Sequence, residues 1–437
     1  MGTAAEQIAI LALGTRGDVQ PYLALACGLT ASGYRVRVVT SPRYEALVRR
    51  RGVDFAAIHH TDPLHAHQTT QGRARLTADP DLLGFLRSLH HSTASSASQR
   101  LADAWQGSRH ATTIVASPLA VLMGYSIAER LNVPFVRACC GPMSPTGYFP
   151  SAFIASVPDI SRRLNLWSHR LASRVIWRRF RTQINQARAD VLGLGPLRQD
   201  PLAGLDQADG PVLYGYSPTV CAPPPDWGPQ SRVTGYWFLD TEPEWTPPDA
   251  LRDFLAAGPA PVYVGFGSMA DAQPIELTRL VADALARAGQ RGVLVTGWGG
   301  LTQPATALSS NLFVADDVPH DWLFQRVTAV VHHAGAGTTG AGLRAGLPTV
   351  TVPFGMPDQP FWARRVFQLG AGPEPIPRSR LTAERLAGAI RTAVTNPVMR
   401  DHASAIGARI RADDGVAGAA ALLDEHRGRS ASFVEPQ

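Results

Sequence analysis

The 437-residue chain contains no lysine, so all 41 of its basic residues are arginines. A chain without lysine cannot form a lysine Schiff base, cannot hold pyridoxal phosphate through a lysine, and has no P-loop lysine. Because the arginine guanidinium does not deprotonate in proteins, any general base must be an aspartate, glutamate, histidine, tyrosine or cysteine. The missing lysine therefore excludes enzymes that depend on a lysine Schiff base, on lysine-bound pyridoxal phosphate or on a P-loop lysine.

Cysteine and charge are also scarce. The four cysteines show no C-x-x-C spacing, and the adjacent pair Cys139 and Cys140 is a poor candidate for a disulfide, as expected of buried thiols in a reducing compartment. Charged residues make up 17% of the chain, and a net charge of +6 without a basic repeat predicts no nucleic-acid partner. No apolar stretch is long enough to span a membrane. We predict a soluble, cytoplasmic protein.

Apolar, strand-like runs alternate with helical segments in two separate parts of the chain. The first series of runs lies at 8–14, 34–40, 112–117, 133–140 and 211–217. The second series lies at 261–268, 292–297, 312–316, 329–335 and 349–354. This alternation is typical of parallel sheets, and its restart after a proline-rich stretch predicts an α/β protein with two Rossmann-like, doubly wound domains.

The predicted domains are an N-terminal domain at 1–222 and a C-terminal domain at 251–397, joined by a linker at 223–250. A helical segment at 398–426 is predicted to pack back on the N-terminal domain. Two doubly wound domains on one linker enclose a deep cleft between the carboxyl ends of their sheets, where ligands of this fold bind.

A glycine pattern follows one strand of the second domain. In VVHHAGAGTTGAG, residues 330–342, Gly335, Gly337 and Gly340 fit G-x-G-x-x-G, and Asp358 follows 18 residues later. A dinucleotide site places its acid at the end of the second strand, whereas Asp358 lies beyond that strand in a separate loop. The pattern therefore argues against a redox cofactor.

A diphosphate explains the same loop better. Backbone N–H groups at a helix N-terminus, freed of side chains by glycine, bind phosphate, and Thr338 and Thr339 add hydroxyl donors. His333 can donate to a phosphate oxygen and stabilise the charge that develops on a leaving phosphate. A local hydrogen bond at the strand end is the alternative role for His333.

Two stretches resemble a known family. Residues 318–366, VPHDWLFQRVTAVVHHAGAGTTGAGLRAGLPTVTVPFGMPDQPFWARRV, resemble the donor-site signature of family 1 glycosyltransferases with the GT-B fold. They are most similar to the sterol 3-beta-glucosyltransferase-like branch and to enzymes that glycosylate vancomycin-group antibiotics. Residues 14–29, GTRGDVQPYLALACGL, resemble the N-terminal motif of the same branches. The resemblance implies a nucleoside-diphosphate sugar donor and inversion at the anomeric carbon, with no cofactor and no metal.

The resemblance also implies a contact for each donor-site residue. The diphosphate would be held by His333, Gly335, Gly337 and Thr338. Asp358 and Gln359 would bind hydroxyls of the sugar, Ser268 a phosphate or the ribose, and Asp317 and Val318 the base. Plant members have a Trp near the position of Ala315 and a Glu near the position of Ala341. Because both of these residues are alanine here, the choice between UDP and TDP stays open.

The general base should lie in the first loop, T-R-G-D. Many relatives use a histidine there, but this loop has none, and Asp18 is the candidate to take the acceptor proton. A helix cap is the alternative role for Asp18. Arg16 could hold Asp18 or a donor phosphate, or be an exposed turn residue.

Six of the 13 histidines lie within residues 59–91, which include His59 and His67. Their H-x₄-H-x-H spacing resembles a metal loop, but no cysteine or carboxylate cluster completes it. We interpret them as acceptor-side residues, one of which is a second candidate base.

Residues 160–189 carry eight arginines and no acid, with apolar residues at helical spacing. We predict a helix that lines the acceptor cleft through Trp167. Weak contact with an anionic membrane surface is the alternative role.

The predicted function is an inverting hexosyltransferase that uses a UDP- or TDP-sugar and an apolar acceptor hydroxyl, as in antibiotic and other natural-product biosynthesis. The alternatives are a sterol or lipid glucosyltransferase at a membrane surface, a non-catalytic sugar-nucleotide-binding protein, and a UDP-sugar epimerase.

Overall fold

The computed structural model describes residues 7–60, 69–78, 82–154, 161–203, 211–297, 300–302 and 309–430. Its strands are β1 (Gln7–Leu11), β2 (Arg35–Thr40), β3 (Asp54–Ala57), β4 (Thr113–Ala116), β5 (Phe135–Cys139), β6 (Val212–Tyr214), β7 (Ser231–Val233), β8 (Val262–Gly265), β9 (Gly292–Val295), β10 (Leu312–Ala315), β11 (Ala329–His332) and β12 (Thr349–Thr351). Its α-helices are α1 (Arg16–Ala31), α2 (Glu45–Arg50), α3 (Thr70–Thr77), α4 (Leu82–Thr93), α5 (Ala97–Ser108), α6 (Val121–Leu131), α7 (Arg162–Ala187), α8 (Asp249–Ala256), α9 (Pro274–Arg287), α10 (His320–Leu323), α11 (Ala336–Arg344), α12 (Gln359–Gln368), α13 (Ala383–Thr395), α14 (Pro397–Ala412) and α15 (Gly415–Ser430).

The strands form two parallel sheets. The first has the order β3-β2-β1-β4-β5-β6-β7 and the second the order β10-β9-β8-β11-β12. Central strands such as β1 and β8 are buried along their whole length, because helices cover both faces of such sheets and make the strands continuously apolar. The prediction of two doubly wound domains is confirmed.

The first sheet extends into the predicted linker. Strand β7 lies within 223–250 and pairs in parallel with β6, with Leu213 opposite Arg232. A three-residue strand between proline- and glycine-rich segments is too short to give a periodic signal, which is why the sequence pattern did not reveal it.

The C-terminal helical segment divides between the domains. Helix α14 packs on α11 of the second domain, whereas α15 packs on α1 of the first. Ala419 and Leu423 of α15 are buried in the first domain's core. The chain crosses over at Asp413, which accepts a hydrogen bond from Ser217 Oγ at 2.5 Å. Within the segment at 398–426, the first helix therefore packs on the second domain and the second helix on the first domain.

A shared apolar cluster joins the two domains. Tyr214 and Tyr216 of the first domain are buried together with Leu343 of α11 and Trp362 of α12. Helix α11 also approaches the ring of Tyr236 closely, since a Cβ placed on its Gly340 would lie 2.6 Å from Tyr236 Cε1. The residue at position 340 must therefore be glycine for this contact to form.

The carboxyl ends of both sheets open into one cavity of about 2810 Å³. Loops that follow β1, β8, β11 and β12 line it, together with helices α4 and α7 of the first domain. Across the described residues, no helix has the length and apolar character needed to span a membrane.

Candidate functional site

Asp18 takes part in a capping box and also lines the cavity. Helix α1 begins after Thr15, and Asp18 Oδ2 accepts hydrogen bonds from the backbone N–H of Thr15 at 2.8 Å and from Thr15 Oγ1 at 2.9 Å. Gly14 has a φ of +125°, and a Cβ there would lie 2.4 Å from Asp18 Oδ2. The predicted cap role for Asp18 is therefore present, although Thr15 is the N-cap residue. Because Asp18 also lines the cavity, the catalytic role stays a prediction.

Asp18 and Asp358 bring two carboxylates from opposite domains to the same cavity. Burial raises the pKa of Asp18 above its ordinary value. Burial and the negative charge of Asp18 raise the pKa of Asp358 to about 6. Burial and like charge both disfavour the ionised form, so each carboxylate is a stronger base than a solvated one. Such perturbation is common at functional sites.

The glycine turn after β11 presents a helix N-terminus to the cavity. Strand β11 ends at His332, and helix α11 begins at Ala336 with Gly335 as its N-cap. Ala334 between them has a φ of +63°, a left-handed conformation that non-glycine residues adopt rarely. The first N–H groups of a helix have no carbonyl partner within it. Gly337 and Thr338 of this first turn line the cavity, where the geometry suits an anion.

His332 holds this turn in place, a role that the sequence analysis missed. Its side chain is fully buried, and its Nδ1 accepts a hydrogen bond from the backbone N–H of Ala334 at 2.9 Å. Burial lowers the pKa of His332 well below its ordinary value, so the ring is neutral and Nδ1 can act as an acceptor. The signal was the doubled histidine itself, since a polar residue ending a buried strand needs a local partner.

His333 lies against two glycines beside the helix N-terminus. A Cβ at Gly335 would lie 2.4 Å from His333 Nε2, and a Cβ at Gly267 would lie 2.9 Å from His333 Cε1. Burial and the nearby His320 lower the pKa of His333 to about 4. Its Nδ1 makes no hydrogen bond to the residues described. The ring is therefore neutral, and its Nε2 lies beside Gly335, the N-cap residue of α11.

Arg16 and Asp317 form an ion pair between the domains. Arg16 Nη1 lies 2.6 Å from Asp317 Oδ2, and both side chains are largely exposed. Arg16 thus contacts the residue predicted to meet the donor base rather than Asp18. Val318, the next residue, is buried and lines the cavity. An exposed pair contributes little to stability, so both side chains can be recruited by a charged ligand at low cost.

Gln359 connects two loops of the second domain. Its Oε1 accepts a hydrogen bond from the backbone N–H of Phe354 at 2.7 Å, and its Nε2 donates to Met269 Sδ at 3.3 Å. Ser268, next to Met269, lines the cavity. The predicted sugar contact of Gln359 stays a prediction, and the observed bonds show that it also fixes the shape of the loop that carries Asp358.

Helix α7 lines the cavity, but not through Trp167. Its lining residues include His169, Ile176 and Phe180. Trp167 does not line the cavity and is 53% exposed. A difference of two positions turns a helical side chain by about 200° at 3.6 residues per turn, so Trp167 faces away from the surface that His169 presents. The predicted helix is present and lines the cavity, but the prediction that Trp167 lines the cavity was wrong; the acceptor role of the helix stays a prediction.

In the histidine-rich region, the predicted acceptor-side residue His59 lies outside the cavity lining. His59 Nδ1 lies 2.9 Å from Asp103 Oδ2, which also accepts a hydrogen bond from the His59 backbone N–H. His60 lines the cavity instead. His67 lies outside the described residues. No three metal-ligating side chains converge in the part of the chain that is described, and the absence of a metal requirement stays a prediction.

Comparisons with known proteins cover both domains. Residues 8–150 match the glycosyltransferase family 28 N-terminal domain, and residues 292–417 match the C-terminal domain of erythromycin biosynthesis protein CIII-like proteins. A sterol 3-beta-glucosyltransferase of Pichia angusta is 36% identical over 416 residues, 93% of this chain and 32% of that protein. The chain thus spans about a third of that relative's length.

Two solved structures share the fold over nearly the whole chain. The calicheamicin glycosyltransferase CalG4 is 19% identical with a TM-score of 0.67, covering 99% of this chain and 100% of that one. The glycosyltransferase VinC, solved in complex with dTDP, is 17% identical with a TM-score of 0.62, covering 96% of this chain and 100% of that one.

Proposed function

The chain belongs to the GT-B glycosyltransferases, and we propose that it transfers a hexose from a UDP- or TDP-sugar to a hydroxyl of an apolar acceptor, with inversion. The family resemblance of residues 14–29 and 318–366 is thereby confirmed. One observation supports the proposal most directly. The neutral ring of His333 lies beside the N-terminus of α11, in the same cavity as Asp18 and Asp358, whose raised pKa values make them stronger bases.

In the proposed reaction Asp18 takes the proton of the acceptor hydroxyl. The acceptor oxygen forms a bond to the anomeric carbon as the bond from that carbon to the diphosphate oxygen breaks. Attack from the face opposite the diphosphate inverts the configuration. The N–H groups of the first turn of α11 and the ring of His333 stabilise the charge on the leaving diphosphate.

Asp358 and Gln359 would position the sugar. Asp358 stands at the start of α12 on the loop that Gln359 holds, so its carboxylate can accept hydrogen bonds from sugar hydroxyls. The raised pKa of Asp358 strengthens it as an acceptor. Substrate positioning of this kind contributes to catalysis by holding the anomeric carbon in line with the attacking oxygen.

The acceptor is proposed to be an apolar aglycone of natural-product biosynthesis, because Phe85, Met123 and Phe180 line the first-domain side of the cavity. A sterol at a membrane surface is a second candidate. The 36% identity to a sterol 3-beta-glucosyltransferase favours it, as do Leu164 and Trp167, which are 42% and 53% exposed on the arginine-rich helix α7. Phospholipid vesicles with anionic headgroups would then bind the protein at low salt and release it at high salt, because salt screens arginine–lipid attraction.

The test is incubation with a panel of UDP- and TDP-sugars, with donor hydrolysis and transfer read by mass spectrometry. His333→Ala should weaken binding of the matching nucleoside diphosphate by about 1.5–3 kcal/mol, the contribution of a charge-assisted hydrogen bond. His110→Ala, an exposed histidine away from the cavity, is the matched control. Binding of a sugar nucleotide without hydrolysis or transfer would favour a non-catalytic binding protein, and unchanged affinity in His333→Ala would refute the phosphate role.

A further inference from the structure

The first-domain side of the cavity, which we call the acceptor compartment, is formed by helices α3, α4, α5 and α7 and by the segments at 116–123 and 137–153. Its lining includes several arginines, among them Arg75, Arg100 and Arg179. The acidic residues of the described cavity lining come instead from helix α1 (Asp18), from the predicted linker at 223–250 (Asp240 and Glu242) and from the second domain, as with Asp317 and Asp358. The acceptor compartment is therefore apolar and basic.

Arg100 lies on α5, and its Nε, like that of Arg75 on α3, is shielded from solvent without a hydrogen bond to any described residue. Burial lowers the pKa of Arg100 to about 10. The guanidinium carries five N–H donors and cannot accept hydrogen bonds. Burying a charge in this way is costly unless an opposite charge satisfies it.

A second polar atom without a partner lines the same compartment. Gln183 lies on α7, which packs against α5, and its Oε1 is shielded from solvent with no partner among the described residues. By contrast, the guanidinium of Arg75 lies 5.5 Å from the centre of the Phe85 ring, a cation–π contact that offsets part of its burial. Arg100 and Gln183 each leave a hydrogen-bonding atom unsatisfied, a donor on Arg100 and an acceptor on Gln183, on the two packed helices α5 and α7 of this compartment.

We propose that Arg100 binds a carboxylate of the acceptor, so that the acceptor is an amphiphile with an apolar body, a hydroxyl that reaches Asp18, and an acidic group elsewhere on the molecule. Arg100 pairs with carboxylates through two parallel N–H···O bonds, the strongest geometry open to it. A hydroxyl or amide N–H near that acid would satisfy Gln183 Oε1. The inference rests on the proposed function only in treating the bound molecule as the glycosyl acceptor.

The test compares a 3-hydroxy steroid carboxylic acid with its methyl ester, which share one skeleton and one hydroxyl. Calorimetric titration at pH 7.5 measures the Kd of each compound without any need for turnover. The wild-type protein should bind the acid about 10- to 100-fold more tightly than the ester, the range for a hydrogen bond to a charged partner. Arg100→Met should remove this preference, and Arg100→Lys should retain part of it.

Arg174→Met is the matched control, because Arg174 is exposed on α7 and lies outside the cavity lining. It should keep the full preference for the acid. An unchanged Kd for the nucleoside diphosphate in Arg100→Met verifies that this variant is folded. Equal binding of acid and ester by the wild type, or an undiminished preference in Arg100→Met, would overturn the proposal even if sugar transfer is observed. Conversely, the absence of hydrolysis and transfer with every donor would refute the proposed function. The Kd values of the acid and the ester would still decide whether Arg100 binds a carboxylate.

Discussion

Replacing Asp358 with asparagine should stabilise the folded protein while it impairs the donor site. In the folded state, burial and the charge of Asp18 raise the pKa of Asp358 from its ordinary value of 3.8 to about 6. At 1.36 kcal/mol for each pKa unit, this change corresponds to about 3 kcal/mol of free energy that the ionised carboxylate costs the native state. Because the side chain is only partly buried, we expect about 1–2 kcal/mol in practice.

The sign of the effect follows from proton binding. A group whose folded pKa is raised binds more protons in the native state than in the unfolded state, so the wild type loses stability as the pH rises from about 4 to about 6. Above about pH 6 the cost is fully present, and below about pH 4 it is absent. Asp358→Asn lacks this titration, so its advantage over the wild type should be greatest at pH 8 and should shrink toward pH 5.

Urea unfolding at pH 8, 6 and 5 measures the free energy of unfolding of both proteins. Asp401→Asn is the control, because Asp401 is exposed on α14 and lies outside the cavity lining; it should leave the free energy of unfolding close to that of the wild type. In the same preparation, Asp358→Asn should raise the KM for the sugar donor and weaken selectivity between sugars. A stability difference between wild type and Asp358→Asn that is zero, or equal at pH 8 and pH 5, would refute the reasoning.

Four further substitutions test other parts of the site. Asp18→Asn keeps an acceptor oxygen for Thr15 but cannot take a proton, so kcat should fall by about 10²–10⁴ while donor binding is not weakened; near-normal turnover would leave Asp18 as a helix cap alone. His332→Ala removes the hydrogen-bond acceptor of the Ala334 N–H and should cost about 1–3 kcal/mol in thermal unfolding while raising the donor KM; a change in neither would contradict its positioning role. Arg16→Gln removes an exposed ion pair and should change the free energy of unfolding by less than about 1 kcal/mol, so a larger loss would show that the pair holds the domains together. Trp167→Ala should leave the KM for a water-soluble acceptor unchanged and reduce cosedimentation with anionic vesicles; an altered KM would return Trp167 to the acceptor wall.

The parts of the site that the sequence predicted are contiguous in the chain. Strand β11, the glycine turn and helix α11 occupy residues 329–344, so the strand pattern, Gly335 and Gly337 together specified a helix N-terminus at the end of a buried strand. The loop that carries Asp18 was likewise local, and the cap role predicted for Asp18 concerns Thr15, three residues away. Short-range patterns of this kind carry their own geometry.

Contacts between distant segments could not be predicted in the same way. The orientation of α7 decides whether Trp167 or His169 reaches the cavity. Apolar residues at helical spacing predicted the helix, but they did not show which of its faces meets the cavity. The pairing of Arg16 with Asp317 joins residues 301 positions apart. These features depend on how two domains pack, and that packing rests on the buried aromatic cluster around Trp362 rather than on any local motif.

The same packing of the two domains sets the base strength of the Asp18 and Asp358 carboxylates. Asp358 has a raised pKa partly because Asp18 of the other domain is near enough to repel its charge. The ring of Tyr236 against Gly340 holds α11, and with it the donor-side loops, close to the first domain. The buried interface therefore stabilises an arrangement that two like charges oppose. The repulsion between these two charges lowers the stability of the folded protein and makes the carboxylates stronger bases, a trade-off that is common in active sites. A donor diphosphate bound at α11 would add further negative charge, which would raise both pKa values and strengthen Asp18 as a base once the donor is in place.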